Sequence, residues 1–208
     1  MQSTPPAAPA EFIAAADQLR GATLRSELAV REIAAPERIA PHSLALAAGV
    51  RQGSGPDTEA VLDSPAGAGR FVLLHDPASA EEWGSDFRVV CYAQAPLEVE
   101  IGVDPFISDV AWSWLVDALA LRDAEYTYLS GTATKVLSSS FGTLESRGDS
   151  SQIELRASWT PLGGSFAAHA EAWSELLCLL AGLPHEEGVA SLRHHRASSG
   201  RSTGSDDR

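Results

Sequence analysis

The segment Ile107-Ser-Asp-Val-Ala-Trp-Ser-Trp-Leu-Val-Asp-Ala-Leu-Ala-Leu121 constrains the fold more than any other stretch of the chain. At 3.6 residues per turn, Ile107, Val110, Ala111, Trp114, Leu115, Ala118 and Leu121 share one broad face. Trp112, Val116 and Leu119 cover much of the remainder, leaving Asp109, Ser113 and Asp117 as a narrow polar stripe. A helix apolar nearly all round must be covered on more than one side, so the rest of the chain has to supply a sheet and a further layer around it. Asp104 suits the cap and Pro105 the first turn, so the helix is predicted to start there, with Trp114 buried between helix and sheet.

The other elements read from the same two periods. Phe12, Ile13, Ala16, Leu19 and Thr23 repeat at helical spacing opposite Glu11, Asp17, Gln18 and Arg20. Strands are predicted over residues 28–33, 42–51, 70–75 and 87–95, the second because Leu44, Leu46, Ala48 and Val50 alternate. Residues 52–69 and 76–86 read as connections, rich in Gly, Pro and Asp or in polar residues. After the apolar helix, residues 126–138 and 152–159 read as a hairpin. A last helix, with Ser165 as its cap, aligns Phe166, Ala170, Trp173, Leu177 and Leu180 before Gly182 and Pro184 end it. The order α-β(3–4)-α-β-β-α predicts an α+β domain: a single antiparallel sheet of five to six strands packed by about three helices. The domain is placed at residues 10–184, between disordered segments at 1–9 and 185–208 that lack apolar periodicity.

The charge balance excludes some partners. Among 208 residues the formal net charge is −13, and Lys135 is the single lysine. Phosphate backbones and anionic membrane surfaces repel such a body, so neither nucleic acid nor membrane is expected as a partner. A modest excess of arginine over residues 191–208 does not reverse this. The two cysteines, Cys91 and Cys178, lie inside apolar runs and read as buried thiols rather than a disulfide. The first residues carry no basic and apolar signal pattern, and the longest clean apolar run, 176–181, is far short of a membrane span; a cytoplasmic location is expected.

Several segments resemble a known family. They are Pro36-Glu-Arg-Ile-Ala-Pro41, Gly69-Arg-Phe-Val-Leu-Leu74, Ala111-Trp-Ser-Trp-Leu-Val-Asp-Ala-Leu119, Glu154-Leu-Arg-Ala-Ser-Trp-Thr-Pro161, Ala172-Trp173 and Ala181-Gly-Leu-Pro184. Together they resemble an actinobacterial family catalogued as domain of unknown function number 3000. The likeness runs from about Phe12 to Pro184, leaving out residues 52–68 and both ends. It implies a cytosolic actinobacterial protein and brings no activity, cofactor or catalytic residue. The element order is also similar to that of small secretion-chaperone folds, with one strand extra, which implies a binding role by analogy of fold alone.

Motif by motif, the residues assign no catalytic group, metal ligand or cofactor. His75 and Asp76 close a strand before Pro77, but neighbours on a strand point to opposite faces, so a base or metal site there needs a third partner from elsewhere. Asp76-Pro77 reads as a turn. His169 reads as a packing residue at the edge of its helix's apolar seam. His194-His195 sit in the tail without a structural zinc spacing. Nucleophile-elbow, phosphate-loop and dinucleotide patterns are missing.

The most informative constellation is a strand face. Arg88, Tyr92 and Gln94 share one side of one strand, and Gln152, Glu154, Arg156 and Ser158 one side of another. Placed in one sheet, they form a face where arginine can pair planar carboxylates or stack on an aromatic ring. The plainer reading is a solvated face tied by Arg–Glu pairs. Trp83, in a polar loop, is either a recognition anchor or a lid folded onto the core, whereas Trp112, Trp114, Trp159 and Trp173 read as core. The sequence therefore points to a non-catalytic, adaptor- or chaperone-like module, able to form a homodimer. It would bind a protein or small-molecule partner through Arg88, Tyr92, Glu154, Arg156 and Trp83. The alternative is an enzyme acting on a small acidic substrate with scattered residues on the same face. A deep pocket of converging polar groups favours the enzyme, and a flat polar face beside an exposed apolar strip favours the module.

Overall fold

A computed structural model describes residues 8–36, 38–53 and 62–185. Most of the two terminal segments, and the middle of the connection 52–69, lie outside the described residues. The elements are α1 (Ala10–Arg20), β1 (Leu28–Ile33), β2 (His42–Val50), β3 (Ala68–His75), a one-turn α2 (Ala80–Trp83), β4 (Phe87–Leu97), a one-turn α3 (Val99–Gly102), α4 (Ile107–Leu121), β5 (Tyr126–Ser138), β6 (Ser150–Pro161) and α5 (Phe166–Leu180). The six strands form one antiparallel sheet in the order β1-β2-β3-β4-β6-β5. The fold is α+β, as the element order predicts. The chain leaves β4, crosses through α3 and α4 to the far edge, lays down β5, and returns to fill the gap with β6.

Period-2 alternation decides which sheet face is covered. Val89, Cys91, Ala93 and Ala95 of β4, with Ile153, Leu155, Ala157 and Trp159 of β6, are all buried beneath the helices. The intervening residues face the other way and, among the described residues, meet no helical layer beyond α2. On that outer side Ala45, Val72 and Leu74 form a small second cluster with Trp83.

The helix at the centre is α5, not α4, which corrects the sequence reading. α5 packs on β3, β4 and β6 and is covered by α4 and α1. Nearly every side chain from Ala168 to Leu180 is buried. On α4 only Ile107, Ala111, Leu115, Ala118 and Leu119 are buried; Trp114 and Trp112 are half-buried, and Val110 and Leu121 are exposed. The polar residues decide between two helices of similar apolarity, because a buried polar group must find a partner. On α5, His169 accepts from Trp159 Nε1 at 3.1 Å, the Ser174 hydroxyl donates to Glu171 O at 2.8 Å, and Glu175 meets Arg25 at 2.9 Å. On α4, Asp109 and Asp117 stay in water.

Local details follow from the packing. Trp173 packs against the sheet and donates from Nε1 to Tyr92 O at 3.2 Å. A Cβ at Gly69 would stand 2.8 Å from that same carbonyl and 3.1 Å from the indole, so the seat requires glycine. Ser165 gives no side-chain cap to α5; Gln18 of α1 does so instead, its Oε1 accepting from Phe166 N at 2.9 Å. Asp104 caps one turn early, accepting from Phe106 N at 2.8 Å. Cys91 and Cys178 are both buried as thiols, with no disulfide between them, and burial pushes Cys91 up to about 12. No helix among the described residues is long and apolar enough to cross a membrane.

Candidate functional site

The strand registers place one residue from each of the six strands in a single row across the outer face. In sheet order these are Arg31, Ala47, Arg70, Tyr92, Arg156 and Thr132. Strands lie about 4.8 Å apart, so the three arginines recur at intervals of roughly 10 Å. Arg156 is exposed, stacks its guanidinium 5.1 Å above the Tyr92 ring, and reaches Glu154 at 3.3 Å along its own strand. The Tyr92 hydroxyl donates to Gln94 Oε1, which also accepts from Gln152 Nε2 at 3.1 Å. Burial, and next the nearby Glu154 charge, raises the Tyr92 phenol above its ordinary value. Arg70 is held at Asp63 at 2.6 Å and at the Leu62 carbonyl at 3.1 Å.

Arg88 lies further along β4 on the same face. Its guanidinium donates to Thr160 Oγ1 at 3.1 Å and Ser158 Oγ at 2.8 Å, both hydroxyls, and burial lowers its pKa. The Thr160 hydroxyl donates in turn to the carbonyl of Trp83. The turn from Asp76 to Asp86 is thereby pinned over this end of the sheet. Trp83 packs on Ala45, Val72 and Leu74, which places its ring as a lid. Gly84, at φ +75°, ends α2 directly against the ring of Tyr128, where a Cβ would approach within 2.5 Å. Tyr128 itself sits at φ 51° in the register shift of β5.

The structure thus brings Arg88, Tyr92, Glu154 and Arg156 onto one face, with Trp83 at its end. Arg31 and Arg70 join them, and sequence reasoning misses these two because their strands carry no mark of register. Arg156 has its carboxylate partner on its own strand rather than across from it. A hollow of about 420 Å³ over the face is lined by Val90, Ser130, Thr132, Arg156 and Ser158 and is broadly open. Beside it, among the described residues, β5 has a strand neighbour on one side only. Val136 continues the face, and Val103, Phe106, Leu137 and Phe141 stand exposed at the same end, Phe141 at 81%.

A buried charge cluster lies on the helical side and is not visible in the sequence. Glu175 is 2% exposed and takes Arg25 at 2.9 Å, Arg122 at 3.5 Å and His185 at 3.1 Å. Arg25 also grips Glu27 and donates to Pro184 O at 2.9 Å. The Arg25 contact holds the Glu27 carboxyl down to about 2, and Arg25 itself is raised, chiefly by that same bond. His185, read from sequence as the first residue of the tail, is therefore tied to the domain. The cluster borders a hollow of about 220 Å³ between α4 and α5 that includes Trp114 and Leu121. Its opposite charges pair with one another, which marks it as a clamp between α5 and the start of β1.

His169 is fully buried rather than at a boundary, and burial lowers it to about 4. Asp76 is a turn residue, its carboxylate accepting from Ala78 N at 2.9 Å and Ser79 Oγ at 2.8 Å. His75, wholly buried at the end of β3, lies near two carboxylates that are not its sequence neighbours, Glu11 and Asp86.

No curated protein and no solved structure matches the chain. A family model described as protein of unknown function (DUF3000) matches residues 8–190, running through the connection 52–68 that the sequence likeness left out. The match spans most of the chain and all of the described fold, and the protein belongs to the DUF3000 family.

Proposed function

We propose that this protein is a non-catalytic binding module whose outer sheet face receives an acidic, extended segment of a partner protein. The observation that carries this reading is the row Arg31–Arg70–Tyr92–Arg156, a cationic stripe on a chain of net charge −13. Of these arginines, Arg31 and Arg156 are exposed, and the carboxylate beside Arg156 is on its own strand. Arginines about 10 Å apart suit several carboxylates presented along one chain better than a single small anion. The openness of the hollow supports the module over a site for a small acidic substrate. So does Val136, exposed on the same side of β5 as Thr132, which gives a partner apolar area to cover on the same face. Two buried thiols that form no disulfide suit a reducing, cytoplasmic setting.

The test places a photo-reactive residue at Val90, in the middle of the face, and recovers cross-linked partners from the native cell. Partners are expected from the otherwise unaltered protein, with a salt-sensitive yield, and are expected to be lost in Arg31→Ala and Arg156→Ala at an unchanged thermal midpoint. Equal recovery by both arginine variants would overturn the assignment of the face.

A further inference from the structure

We infer that Glu11, His75 and Asp86 form a binding site for one divalent transition-metal ion. The three come from separate elements: Glu11 from the first turn of α1, His75 from the last position of β3, and Asp86 from the residue before β4. One donor atom of each lies within 4.8 Å of the other two. His75 Nε2 stands 3.0 Å from Glu11 Oε1, close to the separation of roughly 3.0–3.5 Å that two donors share around a tetrahedral ion. Asp86 is placed by the backbone, because Asp76 N donates to Asp86 O at 2.9 Å and extends the β3–β4 ladder one step beyond His75 and Phe87.

The histidine is already fixed in place: its ring is wholly buried, walled by Phe87 at 4.7 Å and Phe12 at 6.0 Å between centroids, with Nε2 turned toward Glu11. A ring serving only to tie α1 to the sheet needs no second carboxylate, yet Asp86 stands beside Glu11 there. A divalent ion neutralises both carboxylates and uses an imidazole that the aromatic walls already hold in place. One imidazole and two carboxylates, without thiolate, suit a zinc-like first-row ion rather than calcium or magnesium, which take oxygen donors. Glu11 is exposed and Asp86 partly so, which leaves at least one coordination position open to solvent. The sequence could not assemble the site, since Glu11 and His75 are 64 residues apart.

The site is independent of the sheet face, and its test reads the metal alone. Zinc is titrated calorimetrically into the full chain after chelator treatment, and cobalt binding is followed by its visible absorption. One ion per chain is expected. Glu11→Gln and Asp86→Asn are each expected to weaken zinc at least tenfold and to dim the cobalt bands, with the thermal midpoint of the metal-free protein held. A His194→Ala/His195→Ala variant is expected to bind as the unaltered chain does. The inference is overturned if the two carboxylate variants bind zinc unchanged, if binding is lost in the His194/His195 variant, or if 100 µM zinc, on the order of ten times the affinity sought, gives no saturable binding.

Discussion

Acidifying the protein from pH 7 to pH 4.5 is expected to remove stability through one buried ring, His169. The Trp159 indole can only donate, so His169 Nδ1 must accept at 3.1 Å, and the neutral ring carries its proton on Nε2. Burial lowers the folded pKa from 6.5 to about 4, and protonating Nδ1 would also break the bond from Trp159. Above pH 6.5 the ring is neutral in both folded and unfolded chains, so it gives no slope. Between 6.5 and 4 the unfolded chain takes up a proton that the folded one refuses, and stability falls by up to about 1.4 kcal/mol per pH unit. By pH 4.5 the loss is on the order of 2–3 kcal/mol. Glu27 acts in a different window: its carboxyl is held from 4.5 down to about 2, so its contribution is complete above pH 4.5 and declines only below it. The slope between pH 6 and 5 therefore reports on His169, and a glutamine there keeps an acceptor for Trp159 while removing the titration. Urea unfolding followed by tryptophan fluorescence at pH 7, 6, 5 and 4.5 measures the difference. His169→Gln is expected to cost about 1 kcal/mol at pH 7 and to lose far less on acidification than the unaltered chain. An equal loss in both, or a His169 resonance titrating near pH 6.5, would refute the reasoning.

Two further outcomes test the packing. Trp173→Ala removes an indole seated on Gly69 and bonded to Tyr92 O, and is expected to cost roughly 3–5 kcal/mol, whereas Trp114→Ala, at a half-buried position, should cost less than half of that in the same denaturation assay. Glu175→Ala leaves Arg25 buried without its carboxylate partner on α5 and is expected to cost on the order of 3–5 kcal/mol, read as a lower urea midpoint at unchanged slope.

Much of this fold is legible in local pattern alone. The alternation in Val89-Val90-Cys91-Tyr92-Ala93 and in Ile153-Glu154-Leu155-Arg156-Ala157 is a property of the strand itself, so the polar face of β4 and β6 reads directly from the sequence. What pattern does not encode is which residues meet across the sheet. Arg31 and Arg70 enter the row only through the registers of β1 with β2 and of β2 with β3. Periodicity points to the wrong central helix because it counts apolar positions and is blind to partners. Glu175 looks like an intrusion in an apolar stretch until Arg25, 150 residues away, folds beside it. The role of Trp83 stays open in the sequence for the same reason, its packing on Ala45, Val72 and Leu74 being set by contacts far along the chain.

The position of α5 has a consequence for how the protein is made. All six strands precede this helix in the chain, yet it is the helix that seals the middle of the sheet. Translation proceeds at roughly 5–20 residues per second, so about one to four seconds separate the emergence of Pro161 from that of Leu180. Through that interval α4 can pack on β5 and β6, and Phe71, Leu73 and Cys91 have no α5 to cover them. A nascent chain stalled before Phe166 presents a nearly complete sheet with its apolar side open, a surface suited to holding chaperones and to aggregation. The covering of the middle strands β3 and β4 is in this way left to the final helix, to Trp173 and its neighbours.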